Sequence, residues 1–183
     1  MIPYLIDANV AVSSKDPAAV SVSRSGKKLA RNLEQQAWSF SIEWPELLHS
    51  KAAALEVALD DMMGQTLTAQ VLHPVRSYHP NASGVWGVSI ATSAGQKLVT
   101  LAGSGELSIG HFIGFSGHTK VYRVMKYDSN VVTLYPALRA NLTADTAIVQ
   151  AVPFTVTRTD DEASYPTSGP LVSISAEFEE QLF

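Results

Sequence analysis

Between about residues 85 and 152 the chain runs through six short apolar stretches, "VWGVSIA", "KLVTLAG", "HFIGFSG", "KVYRVMKY", "VVTLYPAL" and "AIVQAV", parted by Gly, Ser, Asn and Asp turns. Strands this short and this closely spaced predict a small β-barrel. The connector "HPVRSYHPNASG" at 73–84 carries Pro, Asn and Gly and marks where that unit begins.

The flanking segments alternate instead. In "WSFSIEW" (38–44), Trp38, Phe40, Ile42 and Trp44 fall on one face and Ser39, Ser41 and Glu43 on the other. Near the C-terminus "FTVTRT" (154–159) and "VSISAEFEE" (172–180) repeat the pattern, with Val172, Ile174, Ala176 and Phe178 opposed to Ser173, Ser175, Glu177 and Glu179. Residues 1–23 alternate weakly, with small and β-branched side chains that suit strands.

One segment reads as helix, "PELLHSKAAALEVALDDMMG", spanning 46–63. Pro45 suits a first helical position, Glu46 complements the positive helix end, and Gly64 sits just past the last turn. Leu48, Ala52, Leu55, Leu59 and Met62 make an apolar stripe. Burying its three leucines is worth on the order of 5–8 kcal/mol before entropy is subtracted. The expected fold is mainly β: a β-sandwich with one flanking α-helix, built from 1–79 plus 153–183 and interrupted by a small β-barrel-like insert at 80–152.

Bulk properties narrow the function. The 183 residues are 46% hydrophobic and 16% charged, near ordinary globular values. A net charge of −4 and a pI near 5.7 argue against a protein that grips nucleic acid by neutralising phosphates. There is no cysteine, which removes disulfides, thiolate metal sites and cysteine nucleophiles. The N-terminus lacks the basic and uninterrupted apolar regions of a secretory signal, and no run reaches the roughly 20 apolar residues a membrane span needs. A protein made in the cytoplasm, without membrane insertion, is expected.

Several residues invite chemical readings. Ser116, in Gly114-Phe115-Ser116-Gly117-His118, lacks the glycine spacing of a nucleophile elbow and precedes a strand pattern where that motif needs a helix. A tight turn is the better account. His111 and His118, with Asp128, have the right atoms for zinc or iron, but their spacing matches no local ligand motif. His73 and His79 read as exposed loop histidines, and "LAGSGELSIG" as a hairpin turn instead of a phosphate loop. The acidic groups Asp160, Asp161 and Glu162, and Glu177, Glu179 and Glu180, read as a solvated turn and a wet strand face. The basic cluster Arg24, Lys27, Lys28 and Arg31 is either a solvated loop or a grip on an acidic partner surface.

Three pieces of the chain, taken in order, carry a family resemblance: "SGKKLARNLEQQAWSFSIEWPEL" at 25–47, "GHFIGFSGHTKVYRV" with "VVTLYPALR" at 110–139, and "PFTVTRTDDEAS" with "SISAEFEE". In these the chain resembles the distal tail and related tail-tip structural proteins of long-tailed bacteriophages. The resemblance implies a virion protein of the tail tip and not an enzyme. It implies a homo-oligomeric ring, six copies expected and three the alternative, between the tail tube protein and the tail-tip hub protein, with DNA only as passing cargo. It implies no catalytic residue, cofactor or metal. Unlike larger members, the chain has no long C-terminal carbohydrate-binding-like domain. On this reading Arg24, Lys27, Lys28 and Arg31 are partner-interface candidates, and Glu177 and Glu179 are candidates for facing the lumen, where they would repel DNA. The alternatives are a carbohydrate-binding β-sandwich module using Trp86, Tyr122, Tyr127 or Tyr135 as stacking platforms, and a metal-dependent hydrolase at His111 and His118.

Overall fold

The computed structural model describes residues 1–3, 5–149 and 151–182. Strands β1 (Asn9–Lys15), β2 (Ala18–Val22), β3 (Lys28–Asn32), β4 (Ala37–Glu43) and β5 (Leu47–Leu48) lead to helix α1 (His49–Asp60) and β6 (Ala69–Val71). Then follow β7 (Ala82–Val88), β8 (Leu98–Gly105), β9 (Phe112–Phe115), β10 (Tyr122–Asp128), β11 (Val131–Tyr135) and β12 (Ile148–Val149). The chain ends with β13 (Phe154–Arg158), β14 (Thr167–Ser168), β15 (Leu171–Val172) and β16 (Ser175–Glu180). The protein is mainly β, sandwich-like with one helix, and its central strands form a nearly closed barrel-like sheet. Gln150, within the last of the six apolar stretches, lies outside the described residues.

The first sheet has the antiparallel order β1-β4-β16-β13-β6. The alternation in β4 and β16 sets its register: Phe40 lies opposite Phe178 and Ile42 opposite Ala176, so both strands turn their apolar side chains to one face. That face meets Ala52, Leu55, Leu59 and Met62 of the helical segment in one core. The second sheet has the order β12-β9-β10-β11-β8-β7, and a bridge from Gly87 to Ala147 brings its two ends together. Its core centres on Trp86, Phe115, Tyr122, Val124 and Leu134. Phe112 and Val121, from the barrel's strand and loop, belong to the first core, so the two sheets share a packed boundary.

One glycine in the barrel is required by close approach. An added Cβ at Gly103 would lie 2.1 Å from the Trp86 ring, and Trp86 is buried. Gly103→Ala is expected to lower stability by about 1–3 kcal/mol through overpacking, read as a shifted urea midpoint with an unchanged slope.

Two expectations are corrected. The helix starts at His49, not 46, because Leu47 and Leu48 pair with Val172 and Leu171 as a short strand. Leu48 is therefore 52% exposed and leaves the apolar stripe, whose buried leucines are Leu55 and Leu59. Those two contribute about 3–6 kcal/mol of transfer free energy. The end falls near the expected place: Met63 and Gly64 both take positive φ, 48° and 63°, and turn the chain away. The second correction concerns the basic stretch after residue 24. Arg24 and Lys27 do lie in an exposed turn, but Lys28 and Arg31 do not, since Lys28–Asn32 returns as a strand against Ala18–Val22.

Candidate interaction site

The β2–β3 hairpin is an arm. Every residue of both strands is exposed, on both faces. Cross-strand pairing assigns the faces: Val20 opposes Ala30 and Val22 opposes Lys28 on one, while Ala19 opposes Arg31 and Ser21 opposes Leu29 on the other. The tip is closed by Ser23 N–H donating to the Lys27 carbonyl and by Gly26 in a left-handed turn at φ 79°. Arg24, Lys27 and Lys28 cluster at this tip and Arg31 follows them, with no acidic residue from 17 to 33. A lone two-stranded hairpin is marginal in water. Here Val22 is 65% exposed and Leu29 58%, so most of their apolar surface stays in water.

At the boundary of the two sheets sits a buried charged cluster. Lys120 Nζ donates to Glu180 Oε2 and to the Gln36 carbonyl, the latter at 3.2 Å. Glu180 also accepts from the Trp38 N–H at 3.2 Å and the Val121 N–H at 3.0 Å. Trp38 Nε1 donates to the Val121 carbonyl at 2.9 Å. One carboxylate thus ties β4, the loop before β10 and the last strand together. Burial pushes the Glu180 carboxyl up from its ordinary range and Lys120 down, against their mutual attraction. The expected wet strand face at Glu177, Glu179 and Glu180 needs correcting on this point, because Glu180 continues the inward phase of Ala176 and Phe178.

Glu177 and Glu179 do lie on the outer side of the five-stranded sheet, opposite Ser41 and Ser39. Glu179 meets Lys15 at 3.2 Å, a half-exposed pair worth little.

The histidines serve the scaffold. His73 and His79, expected to be exposed, are buried. His73 Nδ1 accepts from the N–H groups of Val75 and Arg76, at 3.2 and 3.0 Å. His79 Nδ1 accepts from the Ser108 N–H at 3.1 Å while its Nε2 donates to the Phe112 carbonyl at 2.8 Å. Burial pushes the pKa of each histidine below its ordinary value, with Arg76 adding to the effect at His73. His111 bonds the Tyr78 carbonyl and His118 faces the Asn141 carbonyl, so they serve separate loops. No group of three His, Cys, Asp or Glu able to hold a metal occurs among the described residues. Ser116 stands in the turn before β10, its N–H donating to the Ala147 carbonyl. Of the four aromatics considered for sugar stacking, Trp86 and Tyr122 are fully buried; Tyr127 and Tyr135 are half-buried.

The chain matches no family model and no curated protein. No helix among the described residues is long and apolar enough to cross a membrane.

A pH dependence follows from the histidines. Their folded pKa lies below the ordinary 6.5, so the unfolded chain binds protons first as pH falls, and stability drops below about pH 6.5. The expected slope is up to about 1.4 kcal/mol per pH unit for each histidine. Urea titrations from pH 7.5 to about 5.5 should show it, and His73→Asn/His79→Gln should lose most of the slope.

Proposed function

We propose that the protein is a bacteriophage virion structural protein that forms a ring at the distal end of the tail tube, joins the tube to the tail-tip hub and lines the DNA channel. The observation that carries this reading is the arm, an ordered hairpin with four basic residues and exposed Val20, Val22 and Leu29 whose two strands meet only each other among the described strands and helix. Such an element gains its stabilisation from a neighbour. The β1 edge of the first sheet has no further strand beside it among the described residues, an open edge of the kind that assembly covers. The resemblance carried by the order of the three motifs supports the tail-tip assignment, and six copies are expected. Glu177 and Glu179 would repel passing DNA if the outer sheet face lines the channel.

Negative-stain microscopy of the protein, alone and mixed with the tube and hub proteins, tests the reading. Rings with a central channel, stacked on tube ends, are the expected result. A chain that stays monomeric in every mixture would refute it. The carbohydrate-binding alternative has no comparable support, since Trp86 and Tyr122 are inaccessible.

A further inference from the structure

We infer that the basic arm of one copy seats in an acidic cleft at the opposite end of the first sheet on a second copy. This rests on the part of the ring reading that says copies of the chain associate, and it names the surface that receives the arm.

The cleft has a volume of ≈ 690 Å³ and lies where β1 begins and β4 ends. It is lined by the carboxylates of Asp7, Glu43 and Glu46 and by no lysine, arginine or histidine. All three acids are exposed, and none has an ion pair among the described residues. The arm holds four of the chain's 13 basic residues and none of its 17 acidic ones. Three of those four, Arg24, Lys27 and Lys28, are grouped within five positions at the tip.

A second feature of the cleft points independently to a ligand. Trp44 lines it and is 3% exposed, yet its Nε1–H has no acceptor among the described residues. An indole donor left without a partner in a buried setting is costly. The Nε1–H is enclosed behind the cleft wall, so a hairpin that seats there must shift the wall to bring a backbone carbonyl within reach of it, while Pro45 and Pro166 offer apolar ground for the Val22 face.

Strand register explains why the occupant is another copy. Asn9 pairs with Glu43 at the cleft end of the β1–β4 ladder, and Lys15 pairs with Ala37 at the end from which the arm leaves. The two ends are about 20 Å apart at a rise of ~3.4 Å per residue. The arm does not fold back, for its residues are all exposed. Donor and acceptor surfaces are therefore different patches on one molecule. A contact between them is head-to-tail and repeats around a ring when the rotation closes.

The test is charge exchange in the full chain, followed by sedimentation and checked for folding by circular dichroism. The variants are Arg24→Glu/Lys27→Glu/Lys28→Glu, Asp7→Lys/Glu43→Lys/Glu46→Lys, and the combination of all six. Every altered side chain is exposed, so the fold should persist. Wild type is expected to associate, more weakly at high salt. Each triple variant alone should associate about 100-fold more weakly. An equimolar mixture of the two triples should associate again, and so should the six-fold variant. A monomeric wild type, association indifferent to both reversals, or no recovery in the mixture would overturn the inference. Rings that survive both reversals would remove the cleft while leaving the ring reading intact. Recovered head-to-tail oligomers that ignore the tube and hub proteins would remove the tail reading and leave the contact.

Discussion

Lys120→Met is expected to destabilise the protein by about 3–5 kcal/mol, because it strands a buried carboxylate without its cation. The side chains of Lys120 and Glu180 are 3% and 0% exposed, so water cannot take over the lost interaction. The loss should not reflect packing, as methionine nearly fills the lysine stem. Adding Glu180→Gln tests this: the double variant removes the unpaired charge yet keeps an amide oxygen for the Trp38 or Val121 N–H. It should recover at least about 1 kcal/mol over Lys120→Met alone. Chemical denaturation of the three variants measures the difference. Equal stability of single and double variants would mean that Glu180 takes up a proton in place of the lysine, at little cost.

That pair was written in the sequence and easily misread there. Period two in the last strand runs through Ala176, Phe178 and Glu180, and the same phase before β10 runs through Lys120, Tyr122 and Val124. An acid and a base each occupy an inward position. Charge suggested solvent for Glu180 because its neighbours Glu177 and Glu179 do face outward. Only tertiary structure could reveal that the two inward charges meet, 60 positions apart. Arg158 is a similar case, buried in phase with Phe154 and Val156.

The strands with one apolar face were legible, since burial enforces the alternation. The arm was legible only in its first strand, Ala18–Val22, which falls within the weakly alternating N-terminal segment. Its second strand, "KLARN", has an exposed lysine and arginine where a half-buried strand would carry polar and apolar residues in turn. With no core to satisfy, period two has no reason to appear, and the signal that remained was the density of basic side chains from 24 to 31. The helix start was missed for a related reason. Leu47 and Leu48 satisfy helical and strand patterns equally, and the deciding partner, Leu171–Val172, lies far along the chain. His73 and His79 sit in a Pro-bearing connector that local composition assigns to solvent, and it is the packing of that connector under the barrel that buries them.

Trp38→Ala should rival the lysine variant, with a loss of about 3–5 kcal/mol. Trp38 is fully buried in β4 and is the side chain on which the two sheets converge. Its ring meets Phe112 edge-on at 5.1 Å and Tyr135 at 6.0 Å, and the Arg123 guanidinium lies 4.8 Å over its face. Its Nε1–H holds the Val121 carbonyl, and its own backbone N–H is held by Glu180. Alanine therefore opens a cavity and strands a carbonyl at the boundary, whereas Trp38→Phe keeps most of the apolar contact and loses only the hydrogen bond. The phenylalanine variant should lose about 1–3 kcal/mol. If the boundary depends on this one side chain, Trp38→Ala should also raise amide exchange in β9 and β10 more than in β6 and β13, since the latter keep their ladder and the helix-covered core. Uniform loss of protection across both sheets would instead mean that the two cores unfold as one unit, with Trp38 an ordinary member of both.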